Sequence, residues 1–284
     1  MFTEAIVQPP GVNYAEALTT MNLGTPNYAL AIEQHAAYCE ALEQCGLTLT
    51  RLAADERYPD STFVEDTAVL LPALPHRATS ARLPGRKHRD RHTTPKRDAA
   101  PGAILTRPGA ASRVGEVECI AETLSQFYLE LHSIYEPGTV DGGDVCEASK
   151  HFFIGISQRT NEVGARQLAE WLVSYGRTAS FVDIRSTRNI LHLKSGLAYL
   201  GDHRLVVIDD LADHKEFRNH DLVRVSPVEE YAANCIRVND HVLVAAGYPR
   251  FERTLRELGY QTIALEMTEF QKMEGGLSCL SLRF

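Results

Sequence analysis

The sequence predicts an α/β ring, a closed barrel or propeller assembled from about five similar units. Three observations carry this. First, a polar or Gly-rich approach, two apolar runs and usually a helix recur along the chain, with beats near Asp66, Asp144, Lys194, Asn234 and Cys279. Second, the last beat falls at the C-terminus one strand short, while the chain begins with a strand-like run, Phe2 to Val7, that can complete it. Third, 284 residues at 44% hydrophobic and 23% charged are enough to bury a full core. Units that cannot bury their own faces tend to stack and close. Identity between the beats is negligible, so the repetition is architectural.

Taken in order, Phe2 to Val7 reads as a strand ended by Pro9-Pro10-Gly11, and Ala15 to Leu23 as a loop. Thr25-Pro26 caps a helix, since Pro is tolerated at the first helical position. Its apolar face runs Tyr28, Ile32, Cys39, Leu42, and Gly46 stops it. A strand, Leu47 to Leu52, follows. Apolar runs Thr67 to Leu71 and Ala103 to Thr106 form the next pair, and Val117, Ile120, Leu124 and Phe127 mark a helix face. Asp141-Gly142-Gly143-Asp144 opens a hairpin whose second strand holds Phe152 to Ile156. Leu168, Leu172 and Tyr175 lie on the helix after it, closed by Gly176. Ile190 to Ser195 opens a hairpin with Leu205 to Ile208. Ala233 to Val238 and His241 to Ala246 form another, turned by Asn239-Asp240. Arg250 to Leu258 is helical up to Gly259, and Gln261 to Leu265 is a strand. In the tail, Leu280, Leu282 and Phe284 alternate with Ser281 and Arg283 as in a half-buried strand that Cys279 opens.

Between the second pair of runs lies a different kind of segment. His76 to Asp98 carries eight Lys/Arg and two Asp, a charge of +6 in a chain of net −8, with no apolar periodicity. It reads as a solvated basic insertion, or as a surface for an acidic partner. No apolar run is long enough to span a bilayer, and Met1 to Pro10 lacks the pattern of a signal peptide, so no membrane is expected. The six cysteines show neither CxxC nor Cys/His ligand spacing. That argues for a reducing, cytoplasmic setting without disulfides or structural zinc. The acidic balance argues against nucleic acid as the main partner.

The unusual residues sit at the approaches to the beats: Asp60, Phe63, Glu65 and Asp66 at the first, Asp141 and Asp144 at the second, His192 at the third, Glu274 and Cys279 at the fifth. Arg113 and Arg159 lie just past the first two hairpins. Each has a bland reading taken alone: a core cysteine, a satisfied core histidine, turn aspartates. If the approaches converge, one centre holds a thiol, an imidazole, several carboxylates and a ring. That combination suits a cationic substrate attacked by sulfur.

These motifs resemble those of the dimethylarginine dimethylaminohydrolases, of the guanidine-modifying (pentein) superfamily. The likeness is carried by Phe63-Val64-Glu65-Asp66, Thr106-Arg107-Pro108-Gly109-Ala110, Asp141-Gly142-Gly143-Asp144, Arg159-Thr160-Asn161, Leu191-His192-Leu193-Lys194 and Glu274-Gly275-Gly276-Leu277-Ser278-Cys279. It spans the whole chain apart from the basic insertion. It implies a single catalytic domain over 1–284, a five-bladed α/β propeller with ββαβ-type repeats. It implies Cys279 as nucleophile, His192 as general acid and base, and Asp141 as the carboxylate orienting the histidine. Asp66 and Glu65 would surround the guanidinium, and Phe63 would lie beside its methylated end. Arg113 and Arg159 would clamp the substrate carboxylate. Leu18, Asp60 and Met273 would surround the α-amino group, with Leu18 on a mobile lid. Glu274 stands where the family more often has Asp. The implied reaction hydrolyses a methylated arginine to citrulline and an alkylamine, with no metal or organic cofactor, and a homodimer is left open. An arginine-type deiminase, an amidinotransferase and a catalytically silent binding protein are the competing readings.

Overall fold

The computed structural model describes residues 1–72, 101–188 and 190–284. The basic segment His76 to Asp98 lies outside the described residues.

The chain starts with strand β1 (Glu4–Val7), helix α1 (Tyr28–Gln44) and strand β2 (Thr48–Arg51). Asn27 caps α1, its side chain accepting from the Leu30 amide, so the cap lies beyond the Thr25-Pro26 pair expected to supply it. The buried stripe of α1 includes the expected Cys39 and Leu42, with Ile32 half-buried, but it is wider than expected. Ala31, Gln34, His35 and Tyr38 are also buried, while Tyr28 is exposed. Gly46, at φ +92°, turns the chain out of the helix as expected.

Four further units follow one plan. Strands β3 (Ala68–Leu71) and β4 (Gly102–Leu105) pair antiparallel, helix α2 (Glu116–Leu124) crosses, and β5 (Leu131–Ser133) runs parallel to β4. The next unit is β6 (Val145–Ala148), β7 (His151–Ile156), α3 (Glu162–Ser174) and β8 (Thr178–Asp183). The third is β9 (Leu197–Gly201), β10 (Arg204–Ile208), the short α4 (Asp209–Ala212) and β11 (Asp221–Val225). The fourth is β12 (Ile236–Val238), β13 (His241–Ala245), α5 (Pro249–Glu257) and β14 (Gln261–Leu265). After α6 (Thr268–Gln271), the tail strand β15 (Leu282–Arg283) pairs antiparallel with β1, which in turn pairs parallel with β2. The two chain ends thus complete the fifth unit, as the sequence predicted. Among the described residues this makes five three-stranded mixed sheets of the same order.

The middle strand of each sheet is buried and apolar after its first residue, apart from the half-buried Leu105 that ends β4. Ala5, Ile6 and Val7, Ala103 and Ile104, Phe152 to Ile154, Leu205 to Val207, and Val242 and Leu243 are all buried. The third strands are partly exposed, β2 and β14 among them, because their outer edges meet solvent. A 3₁₀ turn precedes the first strand of every hairpin: Val64–Thr67, Gly142–Asp144, Leu193–Ser195, Pro227–Ala233 and Leu277–Leu280. These turns pack against one another, the first touching the second and the fifth, so side chains far apart in sequence face a common centre.

Two expectations are corrected here. Ile190 to Ser195 is not the first strand of the third hairpin. The Leu193 amide donates to Asp144 Oδ1 at 2.9 Å, which holds the segment in a turn, and the strand begins at Leu197. Cys279 does not open the tail strand. It lies inside the turn Leu277–Leu280, and Ser281 is as buried as Leu280, so the alternation does not mark a half-exposed strand. No helix among the described residues is long and apolar enough to cross a membrane.

Candidate active site

The 3₁₀ turns deliver the candidate residues to one small cavity. Its walls contain Leu18, Asp60, Phe63, Asp66, Arg113, Asp141, Arg159, His192, Met273, Glu274 and Cys279, together with Leu191 and Gly275, which sequence reasoning did not single out. Of the expected residues, Glu65 and Asp144 are absent from these walls. The Glu65 carboxylate faces the far side of its turn, with Lys194 Nζ 2.5 Å from Oε1. It lines a larger cavity of about 640 Å³ there, with Arg283, Ser278 and Gly142. Size does not make that cavity the reactive one. Its thiols Cys146 and Cys235 are pushed up to about 12 by burial, and it contains no histidine.

His192 is 5% exposed, and its Nε2 lies 2.9 Å from Asp141 Oδ2. The other Asp141 oxygen accepts the Gly109 amide at 2.7 Å, so the carboxylate that orients the ring is itself fixed. Gly143 packs closely against the His192 ring and the Asp66 carboxylate. A Cβ there would fall 2.7 Å from His192 Nδ1 and 2.9 Å from Asp66 Oδ1. Burial alone would lower the imidazole pKa. Asp66, the Asp141 hydrogen bond and Asp144 outweigh it and raise the pKa to about 9, so His192 is a cation at neutral pH.

Asp66 accepts from Arg113 Nη1 at 2.6 Å and from the Gly143 amide at 2.8 Å. Burial opposes its ionisation, but His192 and Arg113 hold it down at about 2. Arg113 is buried and heavily engaged, with Nε and Nη2 donating to Glu116 and Nη2 also reaching the Phe63 carbonyl. Glu116 was not anticipated, although an Arg-x-x-Glu spacing at a helix start is a readable signal. Arg159 differs. It is half-buried, and its guanidinium makes no hydrogen bond or ion pair of 4 Å or less with the described residues. Asp144, expected near the chemistry, is structural: it takes the Leu193 amide and the Ser157 hydroxyl, the latter at 2.6 Å.

Cys279 is 8% exposed, and its amide donates to the Gly276 carbonyl, which fixes the turn. Burial, then the charges of Glu65 and Asp66, push its thiol up to about 12. The resting pair is therefore a neutral thiol beside an imidazolium. Gly275 lets the tail pass the Phe63 ring, since a Cβ there would fall 2.3 Å from the ring edge. Tyr14 and Phe270 brace that ring with centroids at 6.1 and 6.4 Å. Over the cavity, the Leu18 amide donates to both oxygens of Asp60 at 3.2 Å.

Asp66, Asp141 and His192 bring possible ligand atoms within 4.8 Å of one another. The set suits a metal poorly: both aspartates already accept hydrogen bonds, and a protonated imidazole offers no lone pair. What the arrangement offers is anionic walls for a planar cation, a thiol, and an acid able to protonate a leaving group.

Comparison with known proteins agrees. An arginine deiminase family model matches residues 120–241. The N(G),N(G)-dimethylarginine dimethylaminohydrolase of Pseudomonas aeruginosa is 41% identical over 285 residues, covering 100% of both chains. That of Streptomyces coelicolor is 30% identical, over 99% of this chain and 96% of its own. The crystal structure of the Pseudomonas enzyme, as a mutant complexed with citrulline, superimposes with a TM-score of 0.86 at 40% identity over the full length of both chains. The N-terminal domain of a cyanobacterial arginine dihydrolase shares the fold, with a TM-score of 0.80 at 15% identity.

Proposed function

This chain belongs to the dimethylarginine dimethylaminohydrolase family, and on that premise we propose the chemistry of its site. The protein hydrolyses Nω-methylated arginines to citrulline and dimethylamine or methylamine. It does so within a single catalytic domain spanning 1–284. The observation that carries this reading is one cavity joining Cys279, the His192–Asp141 pair and the carboxylates Asp60, Asp66 and Glu274.

The substrate guanidinium settles against Asp66, with its methylated end beside Phe63. Its α-carboxylate meets Arg159, and its α-amino group meets Asp60, Leu18 and Met273. Arg113 acts mainly by holding Asp66 in place and ionised, which leaves the carboxylate clamp to Arg159. Glu65 contributes its charge from behind the turn rather than a direct contact. On binding, the cation makes loss of the Cys279 proton to solvent far easier, and the thiolate in that equilibrium is the form that reacts. The thiolate attacks the guanidinium carbon, and a tetrahedral adduct forms. His192 gives its proton to the alkylated nitrogen, the C–N bond breaks and the amine departs. A thiouronium remains on sulfur. Neutral His192 then takes a proton from water, whose oxygen attacks the same carbon. The C–S bond breaks, the hydroxyl proton of the adduct passes to the departing sulfur directly or through solvent, and citrulline and the resting thiol are released. Two modest barriers replace one high one. Asp141 keeps the ring oriented through both proton transfers.

All six cysteines are unpaired, which supports a reducing, cytoplasmic site of action. The family-model match favours one second reading, a deiminase releasing ammonia from unmethylated arginine. A panel of arginine, monomethylarginine and both dimethylarginines, scored for citrulline and released amine, separates the two. Alkylamine released with citrulline, and lost in Cys279→Ser, is expected. Ammonia from arginine as the dominant product overturns the reading.

A further inference from the structure

Residues 18–26, of which Leu18 lines the cavity, make no backbone–backbone hydrogen bond with the described residues. Side chains hold the segment instead. Leu18 is tied to Asp60, and the Thr19 hydroxyl donates to the Lys272 carbonyl at 3.0 Å. The strongest tie is to Glu274. Its Oε2 accepts the Thr20 amide at 2.7 Å and its Oε1 accepts the Thr20 hydroxyl at 2.9 Å. Both carboxylate oxygens are thus spent on one residue of the loop. Glu274 also has φ +59°, a left-handed backbone disfavoured for any residue with a Cβ. Gly275 follows it, pressed against Phe63. A residue kept in a disfavoured conformation, with both oxygens aimed at the loop, has a purpose there.

We propose that Glu274 is a positioning residue that acts through Thr20, latching the loop so that Leu18 stays over the bound substrate. The inference rests on the methylarginine reading of the cavity. Under that reading Asp60 has two calls on its carboxylate, the Leu18 amide and the substrate's cationic α-amino group. When substrate draws on Asp60, the Leu18 tie weakens at the moment the site must stay closed. The Glu274–Thr20 tie makes no demand on the substrate and survives that exchange. A carboxylate on two methylenes spans the distance to Thr20. Losing the latch shortens substrate residence and leaves the reacting groups where they were.

The test uses Glu274→Ala, Glu274→Gln, Thr20→Val and the Glu274→Ala/Thr20→Val double variant. Hydrogen exchange is followed at residues 18–23 of the ligand-free protein, and kcat and KM are measured on asymmetric dimethylarginine. Charge-assisted hydrogen bonds of this kind correspond to about tenfold in an equilibrium. Glu274→Ala is expected to speed exchange in the loop and to raise KM about tenfold, with kcat changed far less. Glu274→Gln, whose carbonyl still accepts the Thr20 amide, recovers part of the loss. Thr20→Val shifts both readouts in the same direction, and the double variant is no worse than Glu274→Ala alone. Unchanged exchange in both Glu274→Ala and Thr20→Val overturns the latch. Multiplying KM effects in the double variant also overturn it, because Glu274 would then act on the substrate directly. A wild-type protein that turns over no methylarginine would defeat the functional reading instead, and the exchange data would still decide the latch.

Discussion

The resting state of Cys279 is a neutral thiol, and the substrate's own charge is what must ionise it. Burial, Glu65 and Asp66 raise the thiol from 9.0 to about 12. At about 1.4 kcal/mol per unit, the thiolate is disfavoured by roughly 4 kcal/mol relative to a free cysteine. A permanent cation about 4 Å from the sulfur, at an effective dielectric constant of about 20, contributes about 4 kcal/mol in the opposite direction. The arriving guanidinium therefore offsets the whole penalty, returns the thiol to about 9 and raises the thiolate fraction at neutral pH about a thousandfold. The perturbation is a non-reactive guanidinium ligand. The assay is ultraviolet thiolate absorbance against pH, with and without ligand, using Cys279→Ser as the blank. A fall of about three units on binding is expected, with slow alkylation of the empty enzyme by neutral reagents. A resting pKa below neutrality that ligand does not move would mean a preformed thiolate–imidazolium pair, and substrate-driven activation would be refuted.

His192 ties stability to pH. Its pKa rises from 6.5 to about 9 in the fold, so its contribution of about 3 kcal/mol is complete below pH 6.5 and is lost as pH climbs through 9. The wild type minus His192→Gln difference in urea unfolding, measured across that range, should shrink accordingly; a constant difference would contradict it. The two arginines should separate. Arg113→Ala strands Asp66 and Glu116 in the interior and should cost about 3–5 kcal/mol of stability. Arg159→Ala should leave stability nearly unchanged but weaken substrates bearing an α-carboxylate by about 1.5–3 kcal/mol, against little change for methylguanidine. Gly275→Ala drives a Cβ into Phe63 and should destabilise by about 1–3 kcal/mol, with recovery in a Gly275→Ala/Phe63→Leu double variant, read by thermal melting.

The five units were legible because each repeats a polar approach before paired apolar runs, a pattern set by local composition. Closure through β1 and β15 was legible for the same reason, since a strand at each end lacked a partner. What failed depends on distant contacts. Ile190 to Ser195 has a strand's composition, but Asp144 claims the Leu193 amide across 49 positions and bends the segment into a turn. The face of α1 was legible at Cys39 and Leu42 but not in full, because it also buries Gln34, whose side chain donates to the Thr268 hydroxyl and accepts the Glu269 amide near the other end of the chain. The candidate site was read as a set of approach residues, but direction within a turn is invisible in sequence. Glu65 and Asp66 are neighbours, yet Asp66 faces the small cavity and Glu65 the other. The differing commitments of Arg113 and Arg159 were hidden because Glu116 and Asp66 meet Arg113 only once α2 is docked.

The account rests on a covalent intermediate formed at Cys279 after the amine has left. Acid-quenched turnover, with intact mass and peptide mapping, tests this directly, using either His192→Gly or rapidly mixed wild-type protein. Monomethylarginine and asymmetric dimethylarginine should give one and the same adduct mass on the peptide holding Cys279. The alkylated nitrogen, where the two substrates differ, has already departed. Adducts that differ by a methylene, an adduct on another residue, or citrulline formed with no adduct in either protein would contradict the mechanism.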